Sequence, residues 1–167
     1  MRALNLIQEN FSDDYFVSSD PSRLDLPFIH DWLANESYWA TGIPFKLLER
    51  TLENSLCFGV YQNDGTQVGF GRVVTDYTTF AWVTDVFITP EQRGKGLSRF
   101  LMETMLMHPE LRVIRRWLLG TDEAHGLYRK FGFVDLEHTE NYLTKHRGRM
   151  YQDEQYRGLL DEFLREL

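Results

Sequence analysis

The stretch Ala81-Trp82-Val83-Thr84-Asp85-Val86-Phe87-Ile88 stops at Thr89-Pro90 and leads into Arg93-Gly94-Lys95-Gly96-Leu97-Ser98. Behind that turn runs Arg99-Phe100-Leu101-Met102-Glu103-Thr104-Met105-Leu106-Met107. The first run is apolar and rich in residues suited to a strand, and the last has the make-up of a helix. A strand that feeds a glycine-bearing turn straight into a helix leaves unpaired N–H groups at the helix start. Those donors and the positive end of the macrodipole favour phosphate, and glycine lets the backbone approach an oxygen closely. The junction therefore predicts a phosphorylated ligand.

Two common phosphate loops are excluded. No Gly-x-x-x-x-Gly-Lys-Ser/Thr string occurs, and Gly94-x-Gly96 is followed by Arg99 where a dinucleotide fingerprint needs its third glycine. What remains is Arg93-x-x-Gly96-x-Ser98. With Ser in the last small position, it resembles the Arg/Gln-x-x-Gly-x-Gly/Ala loop of the GCN5-related N-acetyltransferases (GNATs). A second stretch extends the resemblance. After a strand-like Val113-Ile114-Arg115-Arg116-Trp117-Leu118-Leu119 comes Ala124-His125-Gly126-Leu127-Tyr128, then Gly132-Phe133. This is similar to the family's short helix bearing Ala-x-x-x-Tyr and ending at Gly-Phe. Thr121 or Asp122 could cap that helix, Gly132 could stop it, and Phe133 would begin the next strand. The resemblance covers about residues 55–146.

Composition fits one domain over residues 1–167 with room for a substantial core. The chain is 43% apolar and 14% aromatic, which excludes wholesale disorder. Its net charge of −7, from 18 basic and 25 acidic residues, disfavours nucleic acid or an anionic membrane as a general partner. An acidic total suits a cationic substrate but also describes an ordinary solvated surface. The single cysteine, Cys57, lies between Leu56 and Phe58 and reads as a buried thiol. With no leader-like or membrane-length apolar run, the expected location is the cytoplasm.

Leu4 to Phe11 reads as an edge strand or an arm, and Tyr15 to Ser18 as a strand. Leu26, Ile29, Trp32 and Leu33 give residues 25–36 an apolar helical face, and Pro44 opens a second helix. Residues 56–62 and 67–75 flank the hairpin turn Asn63-Asp64-Gly65, with a third strand over 78–88. Residues 141–146 read as a last strand. The C-terminal Leu159, Leu160, Phe163, Leu164 and Leu167 form an apolar stripe for this subunit or a twin. The expected fold is α/β (α+β): one mixed, mostly antiparallel sheet with helices on both faces, in agreement with the GNAT resemblance.

The resemblance implies acetyl-CoA as co-substrate, no metal, and a small-molecule or peptide amine as acceptor. It places the pantetheine arm along Val86, Phe87 and Ile88, with the Val86 N–H at the thioester carbonyl. The pyrophosphate would meet Arg93, Gly94, Lys95, Gly96, Leu97 and Ser98, assisted by Arg99, with Thr121 touching the arm. Tyr128 matches the family's general acid. No glutamate stands at Trp82 or Thr84, where some members carry a base. Asp85 could bind the substrate ammonium or relay its proton, or could cap a bulge or pair with Arg72. His125, three residues before Tyr128, is a second candidate base. Tyr38 and Trp39 form either an aromatic wall for the acceptor or a loop pinned by buried rings. The activity implied is N-acetyl transfer in a ternary complex. An acetyl-CoA-binding regulatory module and a nucleotide-phosphate enzyme are the alternatives.

Overall fold

The computed structural model describes residues 6–167. Six strands form one sheet in sequence order: β1 (Glu9–Phe11), β2 (Tyr15–Ser18), β3 (Leu56–Gln62), β4 (Gln67–Thr75), β5 (Phe80–Ile88) and β6 (Arg116–Leu119). The first four pairings are antiparallel and the last, β5 with β6, is parallel. The helices are α1 (Leu26–Asn35), α2 (Phe45–Glu53), α3 (Leu97–Leu106), α4 (His125–Arg129) and α5 (Arg157–Glu166). The expected strand over Leu4 to Phe11 begins outside the described residues and is a strand only from Glu9.

Period-two alternation divides the core between the faces of the sheet. Phe58 and Val60 of β3, with Val73, Ala81 and Val83, pack against Leu101, Met102 and Met105 of α3. Cys57, Phe70 and Phe87 point the other way, against Ile29, Leu33 and Leu48 of α1 and α2. Asp25 caps α1 by accepting from the Phe28 N–H at 3.0 Å. Gly65 adopts φ +91°, as the hairpin turn requires. Part of the α5 stripe lies on its own chain: Leu160 is buried, the Arg50 guanidinium sits 5.3 Å from the Phe163 ring centroid and Lys46 Nζ donates to the Leu164 carbonyl, while Leu159, Phe163 and Leu167 remain exposed.

The second half is less regular than its sequence suggests. The strand expected over 113–119 starts only at Arg116, behind a turn that leaves Val113 69% exposed. Neither Thr121 nor Asp122 is the N-cap of α4; Ala124 is, its N–H donating to Thr121 Oγ1 at 3.0 Å. Phe133 begins no strand, and residues 141–146 form none. A strand needs a neighbour to satisfy its backbone and bury one face. Among the described residues, 133–146 have neither: β6 pairs only with β5, and Leu143 is fully exposed.

One irregularity inside the sheet positions everything that follows. Phe70 pairs with Phe87 and Arg72 with Thr84, so β5 spends one residue more than β4 over this interval. The result is a β-bulge at Asp85–Val86 opposite Gly71. Asp85 takes φ +55°, a left-handed conformation that costs a non-glycine residue about 1–2 kcal/mol. The bulge changes the phase of the strand: Ala81 and Val83 face α3, and beyond it Val86 and Ile88 do so. Asp85 is released from that face and reaches Arg72, whose Nε donates to Oδ2 at 2.6 Å. Arg72 Nη1 also donates to Ser55 Oγ at 3.0 Å.

Both partners are largely buried, at 14% and 8% side-chain exposure, so removing either charge leaves the other uncompensated. Asp85→Asn, which still tolerates positive φ, should cost about 3 kcal/mol in urea unfolding. Arg72→Met should cost a similar amount. The double variant should lose at least about 1 kcal/mol less than the sum, whereas strict additivity would mean that the pair does not hold the bulge.

Candidate active site

Strands β5 and β6 separate. Their pairing runs from Phe80–Arg116 to Val83–Leu119 and ends there, so residues 84–88 have no strand on that side. The free edge carries Val86, Phe87 and Ile88 and leads to the glycine turn. There Gly94 and Gly96 adopt φ +77° and +79°, and Gly96 is the N-cap of α3. No side chain caps the helix, and a Cβ at either glycine would meet nothing within 4 Å. The glycines are thus required by backbone conformation, and the space before them is open. The amides of Leu97 and Ser98 lie in the first turn of α3, where N–H groups lack intrahelical partners.

The cations of this turn are braced. Arg93 Nε donates to the Ile88 carbonyl at 3.2 Å, tying the turn to the end of β5. Lys95 Nζ donates to Gln92 Oε1 at 2.6 Å and to the Tyr15 hydroxyl at 3.1 Å. Arg99 pairs with Glu103 at 2.7 Å along the exposed side of α3. Of the three, Arg93 and Lys95 belong to the turn itself, and Arg99 points along the helix.

Tyr128 comes from α4 and is buried in the α3-side core, with its ring 6.0 Å from Phe133 in an edge-on contact. Burial first, and the neighbouring Tyr38 second, push its phenol above the ordinary range. It therefore holds its proton at neutral pH. Tyr38, on the connection between α1 and α2, lies near enough to act on that phenol. The Tyr38 phenol is also raised, by loss of solvent first and then by the charges of Asp122 and Glu123, against a backbone hydrogen bond at Asp122 that acts in the opposite sense. His125 is exposed at the start of α4 and lies near Asp135. Thr121 is engaged in the α4 cap already described.

The opposite wall is the connection between α1 and α2. Ser37 Oγ donates to the Leu33 carbonyl at 2.6 Å and accepts from the Ala40 N–H, while Gly42 turns the chain at φ +76°. Tyr38 and Trp39 project from this pinned loop, 64% and 41% exposed, so they are a wall and not buried anchors. Trp39 Nε1 donates to Asp85 Oδ1 at 3.0 Å, and Thr84 Oγ1 donates to the same oxygen at 3.3 Å. Both oxygens of Asp85 are therefore engaged, by Arg72 on one side and Trp39 on the other. Of the readings open for Asp85, the geometry realises the Arg72 pair and the bulge.

Tyr151 closes this side. Its phenol is raised by burial and then by Asp85, with Arg72 acting in the opposite sense. A cavity of about 520 Å³ lies between Tyr38, Trp39 and the segment from Lys145 to Gln152. A larger one, about 870 Å³, sits beside β6, and neither cavity is lined by Asp85, Tyr128 or the glycine turn; the smaller meets the site through Tyr38 and Trp39. Sequence reasoning missed the 145–152 wall, reading part of it as a strand. The available signal was charge, since residues 141–152 carry Lys145, Arg147 and Arg149 and no carboxylate. Cys57 is no nucleophile here: burial first pushes its thiol up to about 12, against the pull of Arg72. Among the described residues no helix is long and apolar enough to cross a membrane, and no group of three His, Cys, Asp or Glu side chains could hold a metal ion.

Comparison with known proteins agrees with this architecture. Residues 53–135 match the model of the acetyltransferase (GNAT) domain. A protein of Gibberella zeae named "Putative acetyltransferase FG08082" is 35% identical over 144 residues, covering 73% of this chain and 80% of that one. A GNAT-family crystal structure from Xanthomonas campestris pv. campestris superposes with a TM-score of 0.82 at 40% identity, over 86% of this chain and all of the other. A Clostridium acetobutylicum protein solved with acetyl-CoA shares the fold, with a TM-score of 0.55 at 15% identity over 83% of this chain and 96% of its own. Family-model match, sequence kinship and shared fold agree: the chain belongs to the GNAT family of acetyltransferases.

Proposed function

We propose that the protein transfers an acetyl group from acetyl-CoA to a primary amine, of a small molecule or an exposed amino group, in a ternary complex. The observation that carries this reading is the free edge of β5 running into the uncapped start of α3. An unpaired strand edge offers alternating donors and acceptors to an extended ligand with amides of its own. A glycine turn at a helix start offers converging N–H groups to a diphosphate. The two are adjacent and in line, as one long ligand with both features needs.

Acetyl-CoA supplies the acetyl group as a thioester. The Val86 N–H, set in the bulge and outside the regular ladder, is the donor for the thioester carbonyl and for the oxygen that gains charge during attack. The amine nitrogen, neutral after losing a proton to water, forms the new C–N bond as the C–S bond breaks, and it sheds its second proton to solvent, from which the Tyr128 phenol is later re-protonated. Tyr128 holds a proton at neutral pH and gives it to the departing sulfur. Asp85 is a positioning residue, fixing the bulge through Arg72 and the aromatic wall through Trp39; any proton it relays passes through water. Gly94, Gly96, Leu97 and Ser98 hold the diphosphate with Arg93 and Lys95, while Arg99 and Thr121 stand at its margins. A second reading, an acetyl-CoA-binding sensor, is favoured by one observation: the one carboxylate on β5 is fully engaged.

Acetyl-CoA should raise the melting temperature of the protein, by mass action on the folded state. Gly96→Glu should abolish that shift, because a carboxylate at φ +79° adds strain and repels the diphosphate; an undiminished shift would remove the turn from the site. Tyr128→Phe should leave acetyl-CoA affinity within about twofold and lower thiol release on an amine panel by about 10²-fold or more, the usual weight of a general acid. Unchanged turnover would end its assignment as the acid. Tight acetyl-CoA binding with no thiol release from any amine would leave the sensor reading in its place.

A further inference from the structure

We propose that the acceptor is bipolar: an amine that also carries an anionic group, carboxylate or phosphate, seated against Lys145, Arg147 and Arg149. The inference deepens the acetyl-transfer reading, since it names the substrate class of that same cleft. It rests on how charge is distributed around the 520 Å³ cavity, a size ordinary for a small-molecule site.

The chain as a whole carries −7, yet this wall is basic. Lys145, His146, Arg147 and Arg149 line the cavity with Tyr38 and Trp39. Among the described residues, no carboxylate pairs with Lys145, Arg147 or Arg149, although the chain supplies 25 acidic side chains. By contrast, Arg72 is paired with Asp85 and Arg99 with Glu103. The contact recorded for Arg147 is with the Tyr156 ring, 5.9 Å from its centroid, which steadies the guanidinium without neutralising it. The segment is also held against the cleft. At Gly42, between Trp39 and α2, a Cβ would stand 3.4 Å from Gln152 Cγ and 3.7 Å from the Tyr151 carbonyl.

Outside the cavity lining, near Tyr38, the sign reverses. Asp122 and Glu123 act on the Tyr38 hydroxyl, and Tyr38 in turn acts on Tyr128. An ammonium is attracted to that side, beside the residue assigned to the leaving sulfur, and an anion to the 145–149 side. Exposed basic turns are common and usually only solvated. This one differs in lining a concave space whose other wall is the Tyr38–Trp39 loop. A guanidinium or ammonium binding an anion makes a charge-assisted hydrogen bond, enough for about tenfold discrimination between matched ligands.

The test uses matched amines with the full chain: β-alanine against its amide, and phosphoethanolamine against ethanolamine. Thiol release from acetyl-CoA gives kcat/KM for each, and the melting temperature in the presence of CoA gives binding independent of turnover. The anionic member of at least one pair should be preferred about tenfold or more, through KM, and should raise the melting temperature where its neutral partner does not. The pair that responds distinguishes carboxylate from phosphate. Arg147→Glu and Lys145→Glu should each collapse the preference. Preference for the neutral amines, or a preference untouched by both reversals, would overturn the proposal. If no amine turns over, the binding arm decides: an anion-dependent shift lost in both variants upholds it, and no such shift overturns it. Failure of acetyl-CoA to bind would strike the acetyl-transfer reading alone, since the anion-dependent shift can also be read without CoA.

Discussion

One extra residue in β5 governs the architecture of the cleft. Opposite Gly71 the strand bulges, and the side chains beyond it change phase relative to those before it. Without the bulge, the residue at position 85 would follow Ala81 and Val83 into the α3-side core. A carboxylate there would lack a partner among apolar side chains and would be costly to bury. With it, Asp85 turns to the α1–α2 side, meets Arg72 and supports Trp39. The left-handed backbone at Asp85 is maintained by an ion pair and two further hydrogen bonds, and its cost is small beside that of separating the charges. Past the bulge β6 is absent, and the edge of β5 opens. Strain, buried charge and open edge are consequences of the same insertion.

That opening is extended by the glycine turn. Arg93 binds the last carbonyl of β5, so the turn leaves the strand at a fixed place. Gly94 and Gly96 then reverse the chain through positive φ, and α3 starts with no side chain over its end. The other flank of α3 is packed immovably, with Leu101, Met102 and Met105 fully buried against the sheet. A rigid helix thus presents its N-terminus at the mouth of the free edge. Preorganised donors of this kind lose little on binding, which is the advantage of placing them on packed elements.

The sheet up to Ile88, helices α1 to α3 and the glycine turn were legible because each carries a local signal. Asp25 and Pro44 mark helix starts, Asp64-Gly65 a hairpin, and Gly94-x-Gly96 a strand-to-helix turn. The resemblance to a known family carried the cofactor and Tyr128, which spacing alone could not. Residues 133–146 were misread because strand propensity is a statement about fitting beside a neighbour, and none stands next to β6. The engagement of Asp85 could be named only as one alternative, since the pairing of Arg72 with it depends on a register shift that no spacing rule reports. The basic wall escaped because it lies in irregular chain, where periodicity carries no information.

Total charge and local charge make opposite statements about the acceptor. At physiological ionic strength the screening length is about 8 Å, so an exposed cation more than that distance away contributes little to a bound ligand. What a small molecule meets inside the cleft is set by its nearest side chains. Among the described residues, Lys145, Arg147 and Arg149 are without carboxylate partners on one wall, and Tyr38 and Trp39 form the other. The surplus of acid on the rest of the surface is compatible with solubility and slow capture of anions from a distance. It does not cancel attraction at contact. An anion held at that basic wall would leave the amine of the same ligand free to turn toward Tyr38 and the Tyr128 side before any chemistry occurs.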